Sequence, residues 1–524
     1  MKTLAIRRND RGLALPVVII ITVVLTLLVG ATTTAAVNSL DLSRHDQDWN
    51  AALAAAEAGI DDYLHRLNVN REYWQYSDTN LPPEGNPAFT EWVDVPGPTS
   101  AGEYRHVLDA SSITVDGTVR LTSIGRVRDT VRTVESTLRR RGFLDFLYFT
   151  DYETKDPATY STTLGDPFSA TTAQSLCARY YYSEPPRDPN CTNIFFVSQD
   201  IINGPLHSND AIRISGNPQF LGATSTSWDD PTGQNWLGSG NPVFLINGDP
   251  HLANPLTMPP TNTSIRVETD PNLGGTGCLY TGPTRIILNS TGTMNVTSPL
   301  TLESNCGVGN NVPLPDNGVI YVQTVPTTST DPNYTATCPV SSGNPLGYPV
   351  SGDITPGYGC FDGDAFVSGT LSGQLTIAAQ DTVITTANTT YAGGMGGTDL
   401  LGLIASNSVE VYHPVNSSGT NITAAGTSPI SIHAAILSLQ HSFGVQNYRR
   451  GAARGLLSVR GAIAQKYRGI VGTFSGGTIN TGYAKDYVYD QRLKYLSPPH
   501  FLDPVASAWK IATWAEIPTP VQFR

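Results

Sequence analysis

Charge is scarce in this chain, and lysine scarcer still. Charged residues make up 15% of the 524, and only six of the 32 basic residues are lysine. The net charge is −12, so the basic surplus of a general nucleic-acid surface is absent and that class of partner is excluded. The acidity itself reads as plain solubility. Disorder is excluded from the other side: 40% of the residues are hydrophobic, and 49 Gly and 37 Pro among many Thr, Ser and Asn describe turn-rich β structure. No Cys-x-x-Cys pair stands near a histidine, so the sequence offers no zinc site. Neither a metal nor a cofactor is expected.

What is present is concentrated at the start. Lys2, Arg7, Arg8 and Arg11, opposed by Asp10, precede a stretch from Leu13 to Leu40 without a charge. A helix rises about 1.5 Å per residue and the hydrocarbon core is about 30 Å thick, so this stretch is long enough to span a bilayer. Small and polar residues follow it without a cleavage pattern, so the segment is expected to be retained. The basic leader places the N-terminus in the cytoplasm and the remaining chain outside, as a single-pass membrane protein. Beyond the span, Leu42, Trp49, Leu53, Ala56, Ile60, Leu64 and Leu67 form an apolar stripe on a helix predicted to run to about Asn68.

The order of these parts resembles a type IV prepilin. Arg11-Gly12 before the apolar stretch resembles the processing site, and Ala55-Ala56-Glu57-Ala58-Gly59 resembles the signature of PilX-type minor pilins. The resemblance implies that a prepilin peptidase cuts between Gly12 and Leu13 and that the helix contacts other pilins in a filament. An ordinary signal-anchor helix is the plainer alternative. If Leu13 is the first mature residue, the fifth is Val17, where major pilins carry a glutamate. A carboxylate in lipid is costly unless paired, so its absence removes an alignment device and implies a minor, accessory or tip component. Pro16 falls in the first turn, where a missing N–H costs little.

All six cysteines, Cys177, Cys191, Cys278, Cys306, Cys338 and Cys360, lie in the predicted exterior, where disulfides form. Fifteen connectivities exist in principle. Short loops lose least entropy on closing, which favours pairing in sequence order.

Alternating residues from Tyr104 to Arg139, with turns at Asp116-Gly117 and near Arg128-Asp129, predict a small antiparallel meander covering the helix stripe. Farther on, Ser215-Gly216-Asn217-Pro218-Gln219-Phe220 returns 24 residues later as Ser239-Gly240-Asn241-Pro242-Val243-Phe244, and Ser-Gly-Asn-Pro occurs again at 342–345. Gly-Asn-Pro is common turn chemistry, but 24 residues is near one coil of a parallel β-helix. Short turn-bounded runs such as Ala365–Gly369, Gln374–Ile377, Leu401–Ile404, Ile430–Ile432 and Leu456–Ile463 extend the pattern. A solenoid needs its end covered, and the aromatic cluster Tyr487, Tyr489, Tyr495, Phe501, Trp509 and Trp514 is expected to form that cap, with a sugar-binding platform as the alternative.

The expected fold is therefore mainly β with one long N-terminal α-helix: a pilin-like helix and small antiparallel sheet, then a right-handed parallel β-helix. The divisions are a leader at 1–12, helix at 13–68, head at 69–142, solenoid at 143–482 and cap or tail at 483–524. Gly402–Ala405, Val411–Pro414, Ser442–Asn447 and Gly461–Gly469 are similar to actinobacterial surface proteins that join a PilX-like start to a solenoid.

Catalytic signatures are weak. Asp229 with Asp230, Asp362 with Asp364, His433 with His441, and Arg449, Arg450, Lys466 and Arg468 are candidates without diagnostic spacing. Asp362-Gly363-Asp364 reads as a turn, because a calcium ion would need more oxygens than its neighbours supply. His207, His251 and His413 stand in Gly, Asn or Pro contexts and read as solvated turn residues. Display on a filament for adhesion to a surface glycan or protein is the expected function, without enzymatic activity. A membrane-anchored β-helix enzyme acting on polysaccharide is the alternative, since paired carboxylates can be distant in sequence.

Overall fold

A computed structural model describes residues 14–520 except 71, 84, 97–101, 114–117, 141, 247, 342, 356, 423–428, 476–477 and 506–508. The chain is mainly β, with one long N-terminal helix. Its contacts divide it into two units. One comprises Met1–Ala110, Val119–Leu138 and Thr513–Arg524, the other Ser111–Thr118 and Arg139–Ala512.

In the first unit, helix α1 (Ala14–Val69) runs for 56 residues, about 80 Å at the usual rise. Its β-branched residues are no obstacle in an apolar setting, where a helix satisfies its own backbone groups. The threonines follow the same logic: Thr22, Thr26 and Thr34 donate their hydroxyls to the carbonyls of Val18, Thr22 and Gly30 at 2.7, 2.7 and 2.8 Å. Strands β1 (Val93–Asp94), β2 (Glu103–Asp109), β3 (Thr118–Val127) and β4 (Thr130–Arg140) follow in sheet order. β2 is antiparallel to both β1 and β3. Arg128 takes φ 51° at the β3–β4 turn. The turn expected at Asp116-Gly117 lies outside the described residues.

The fifth strand of this sheet comes from the other end of the chain. Trp509–Ile517, expected in a terminal cap, lies beside β4. Charge holds it there: Arg132 on β4 forks onto Glu516 at 2.7 and 2.5 Å, and its guanidinium lies 4.6 Å from the Trp49 ring on α1.

The second unit is built on parallel ladders. In the longest, Cys278, Ile320, Ile377, Leu403, Ile436, Ile463, Tyr148 and Leu206 stand successively in register. These side chains are all buried, so each strand shields its neighbours' apolar face. A second ladder carries Thr284, Ala365, Val383, Val409 and Phe443 in register. The 24-residue displacement is a ladder register: Gln219 pairs with Val243 and Phe220 with Phe244, while Ile212–Ser215 pairs with Trp236–Ser239. Glycine is required in this stack, because a Cβ on Gly240, at φ 122°, would run into the Gly216 carbonyl.

The stacking order departs from chain order. Tyr148–Tyr152, the first strand of this unit, lies between Leu206–Ser208 and the late strand Ala453–Tyr467, parallel to both. The chain stacks away from this point as far as His251–Leu252, then resumes at Cys278–Thr281 and stacks back toward it. Beyond Thr284–Asn289 an antiparallel pair, Thr293–Thr297 and Gly309–Pro313, extends the second ladder. The aromatic segment lies elsewhere than expected of an end cap. Tyr487, Tyr489 and Leu493 are core residues, Tyr495 and Trp514 are exposed, and Pro499 accepts a hydrogen bond from Thr376, midway along the long ladder. Packing in mid-ladder hides these rings better than a terminal coil would.

Buried ion pairs join the early and late strands at the meeting point. Arg468 and Glu153, both shut off from solvent, lie 2.9 Å apart, and Arg468 stacks 3.5 Å from the Phe196 ring. Lys485 meets Asp200 at 3.0 Å, and Lys155 and Arg449 share Asp166 at 2.6 and 2.7 Å. Removing one member of such a pair leaves an uncompensated buried charge. Arg468→Met should therefore cost about 3–5 kcal/mol, while Arg468→Met with Glu153→Gln should recover most of it. Chemical denaturation of the detergent-solubilised chain measures both; equal losses in single and double variants would refute the role given to the pair.

Candidate functional site

Among the described residues the first half of α1 has no partner. Its most apolar 18-residue window has mean hydropathy 2.6 and none of it is buried. Among the described residues this is one helix long and apolar enough to cross a bilayer. Val17 is exposed, as are the apolar residues from Leu15 to Leu42. Gly12 and Leu13, the expected cleavage residues, lie outside the described residues.

The second half of α1 docks on the antiparallel sheet through small residues. Ala52, Ala55, Ala56, Gly59, Ile60, Tyr63 and Leu67 form the buried stripe. This corrects the predicted stripe, since Leu42 and Trp49 are exposed and Leu53 and Leu64 only half-buried. The large residues had fixed the sequence reading, whereas close approach to the sheet selects the small ones. A Cβ on Gly125 of β3 would run into the Ala52 carbonyl and the Ala56 amide, and one on Gly59 would meet Ser123 and Tyr104. The Ala55-Ala56-Glu57-Ala58-Gly59 motif thus has a physical reading. Ala55, Ala56 and Gly59 let the sheet approach, Ala58 is half-buried, and Glu57 is exposed.

His106, on β2, closes this interface and had no sequence signal beyond its place in the meander. Its Nε2 lies 2.8 Å from the Gly59 carbonyl, and the rings of Tyr63, Phe89 and Tyr104 surround it with centroids 5.6, 6.0 and 5.3 Å away. Burial pushes its pKa down to about 4.

In the second unit the cysteines pair in sequence order, Cys177–Cys191, Cys278–Cys306 and Cys338–Cys360. The catalytic candidates do not assemble into one centre. Asp362 accepts from the Gly359 amide and Asp364 from the Thr382 amide, so both serve turns. Asp230 accepts from the Thr232 backbone, and Asp229 is exposed. His441 pairs with Asp156 at 3.1 Å, whereas His433 packs against the Tyr391 ring. Burial would lower the His441 pKa, but the Asp156 hydrogen bond and charge win and raise it. Arg468 is committed to Glu153, Arg449 to Asp166, and Lys466 lies 6.0 Å from the Tyr467 ring. His207 and His413 are corrections: both are fully buried. His207 stacks on Phe146 and Phe149 and bonds Ser225 and Asn209, and His413 bridges the Gln446 carbonyl and Asn421. Turn-like neighbours concealed the ladder position of His207, on Leu206–Ser208, and the buried site of His413 just past the strand Val409–Val411. His251 is exposed. Among the described residues no three His, Cys, Asp or Glu side chains converge as metal ligands.

One concavity of this unit went unseen in the sequence. Tyr358, Glu410, Gln446, Tyr448, Arg449 and Arg450 line a cavity of about 400 Å³. A narrower recess of about 60 Å³ shares Glu410 and Tyr448 and reaches Asp156. Glu410 alternates between Val409 and Val411 on a short strand, and such a solitary outward carboxylate was the available sequence signal.

Residues 11–61 match the PilX N-terminal family, so the exposed helix and its small-residue motif form a pilin-like N-terminus. That match covers a small part of the 524-residue chain. No sequence among curated proteins matches. Among solved structures, the competence-associated pilin ComZ from Thermus thermophilus is similar at 14% identity, with 90% of this chain and 97% of that chain covered. Its TM-score is 0.29, too low for the likeness to bear on this fold.

Two outcomes follow from the docked helix. Gly125→Ala should overpack the helix–sheet contact and destabilise the first unit by about 1–3 kcal/mol, seen as a lower first unfolding transition in detergent. His106 should make that transition acid-sensitive. The unfolded chain binds a proton near the ordinary histidine value of 6.5, whereas folded His106 does so only near 4. Stability from this group is therefore complete above 6.5 and falls as pH drops toward 4, by about 3 kcal/mol at about 1.4 kcal/mol per unit. His106→Gln should flatten that slope; identical pH profiles in melts of variant and parent would remove His106 as the cause.

Proposed function

We propose that this chain is a minor, accessory or tip, type IV pilin-like protein that inserts in a pilus or pseudopilus by α1 and displays its second unit for surface adhesion. The observation that carries this reading is the split character of α1, bare and apolar before Leu42 and docked through alanine and glycine after Ala52, on a segment matching PilX-type starts. A bare apolar half suits first the bilayer and then the flanks of other pilin helices. The absence of a glutamate at Val17 favours an accessory position over the bulk subunit. The basic leader supports a cytoplasmic N-terminus and an extracellular second unit.

The parallel ladders support a right-handed β-solenoid as the displayed element, and binding rather than catalysis as its work. A solenoid offers lateral area well beyond the roughly 800 Å² per partner of a standard interface. Exposed Glu57 has no ion-pair partner among the described residues and is free to meet a basic group of a neighbouring subunit.

Processing gives the first test. Co-expressed prepilin peptidase should cut between Gly12 and Leu13, and replacing Gly12 with a bulky residue should leave the leader attached. Intact mass of the membrane fraction measures this, and a retained leader in the parent would count against the pilin reading.

Incorporation gives the second. Residues 1–141 hold the helix and four strands of the head sheet, but that sheet also uses Trp509–Ile517. A reporter fusion carrying residues 1–141 linked to 509–520 should enter filaments several-fold better than one carrying 1–141 alone. Glu57→Gln in the full chain should lower entry without changing the melting transition. Immunogold labelling and fractionation under piliated conditions supply the counts; fusions confined to unassembled membrane would reduce the N-terminal unit to an anchor.

A further inference from the structure

The cavity around Glu410 is a polar site with bonding capacity left over. Gln446 is 8% exposed, and its Nε2 donates to Glu410 Oε2 at 2.8 Å and to the Tyr358 hydroxyl, while its Oε1, also buried, has no partner. A buried acceptor left unmet is costly, so a ligand donor placed there has a ready return. Among the described residues Glu410 makes no ion pair and Arg450 has no carboxylate partner. Arg449, by contrast, is fixed, held on Asp166 and on the Tyr448 hydroxyl at 2.7 and 2.8 Å. The site thus presents an acceptor, a carboxyl, a phenol and a guanidinium beside two tyrosine rings, in a volume within the roughly 300–1,000 Å³ of ligand pockets.

We propose that this cavity binds a saccharide, whose ring hydroxyls supply donors to Gln446 Oε1 and Glu410 and accept from Arg450, and whose C–H faces lie against Tyr358 or Tyr448. A purely apolar ligand would strand the polar groups. A phosphate would meet the Glu410 carboxyl with a single unpaired arginine to hold it. Burial raises the Glu410 pKa, against the Gln446 hydrogen bond and with the Asp156 charge adding. The inference deepens the display reading and rests on it for its role at the cell surface. Binding by the purified chain is nevertheless measured apart from filament entry, so the two fail separately.

The probes are chitobiose, a neutral disaccharide, and digalacturonate, an acidic one, titrated calorimetrically into the detergent-solubilised full chain. Saturable binding of either is expected, weakened at least tenfold by Glu410→Gln and by Arg450→Ala at unchanged melting temperature. Arg450→Ala guards against a folding artefact, since this partly exposed side chain supports no other group. Preference for digalacturonate would assign Arg450 to a sugar carboxylate, and preference for chitobiose would assign it to hydroxyls. Absence of saturable binding to both sugars by a natively melting chain would overturn the proposal. So would affinity unchanged in both variants, or capture of peptides alone from an array carrying both ligand classes.

Discussion

One strand in the wrong place by chain order governs the second unit. Tyr148–Tyr152 comes first in the chain and takes its neighbours from later segments, on one side Leu206–Ser208 and on the other Ala453–Tyr467. Until the late strand arrives, Tyr148 and Phe149 have an open edge and half a core. Contacts so distant in sequence must overcome a large loss of chain entropy before they reward the fold. This explains the concentration of buried ion pairs there. Arg468 with Glu153 and Lys485 with Asp200 demand particular partners, and an unmatched charge in that interior is far costlier than an imperfect apolar fit.

The cavity is a product of the same closure. Arg449 and Glu410 come from late strands and their turns, while Asp166 and Asp156, which hold Arg449 and His441, come from the early segment. The polar walls are therefore assembled only when the two ends of the stack meet. A site built in this way is absent from partly folded chains, and a ligand bound there would stabilise the closed junction by mass action.

The legible parts of the fold were those written in local pattern. The apolar helix, the antiparallel meander, the 24-residue register between Gln219 and Val243, and the order of the disulfides each depend on residues near in sequence. The phase of the helix stripe was misread because bulk was weighed above smallness. Trp49 and Leu42 drew the stripe one way, while Gly59 and Gly125 show that the interface selects what can be approached. His207 and His413 were misread for a related reason. Their Gly, Asn and Pro neighbours are turn formers in a compact domain, but in stacked ladders such turns lie beside fully buried positions. The pairing of Trp509–Ile517 could not be read, and the cavity left only the outward carboxylate of Glu410 as a signal, since each joins residues hundreds of positions apart.

That last strand changes what the chain is as a piece of architecture. A PilX-type start followed by a large domain reads as a head with an appended tail, and the tail could then vary without consequence for the head. Here the five-stranded sheet takes four strands from before the ladders and one from after them. Arg132 links the three parts of the first unit, because it lies on β4, stacks on Trp49 of the helix and forks onto Glu516 near the C-terminus. The large domain is thus an insertion within the head, and the head is complete only when the insertion has been traversed. Variation in the ladders is tolerated by such a design so long as the chain emerges where the fifth strand can pair. Completion of the sheet around Arg132 therefore makes a properly docked helix depend on synthesis of the entire second unit.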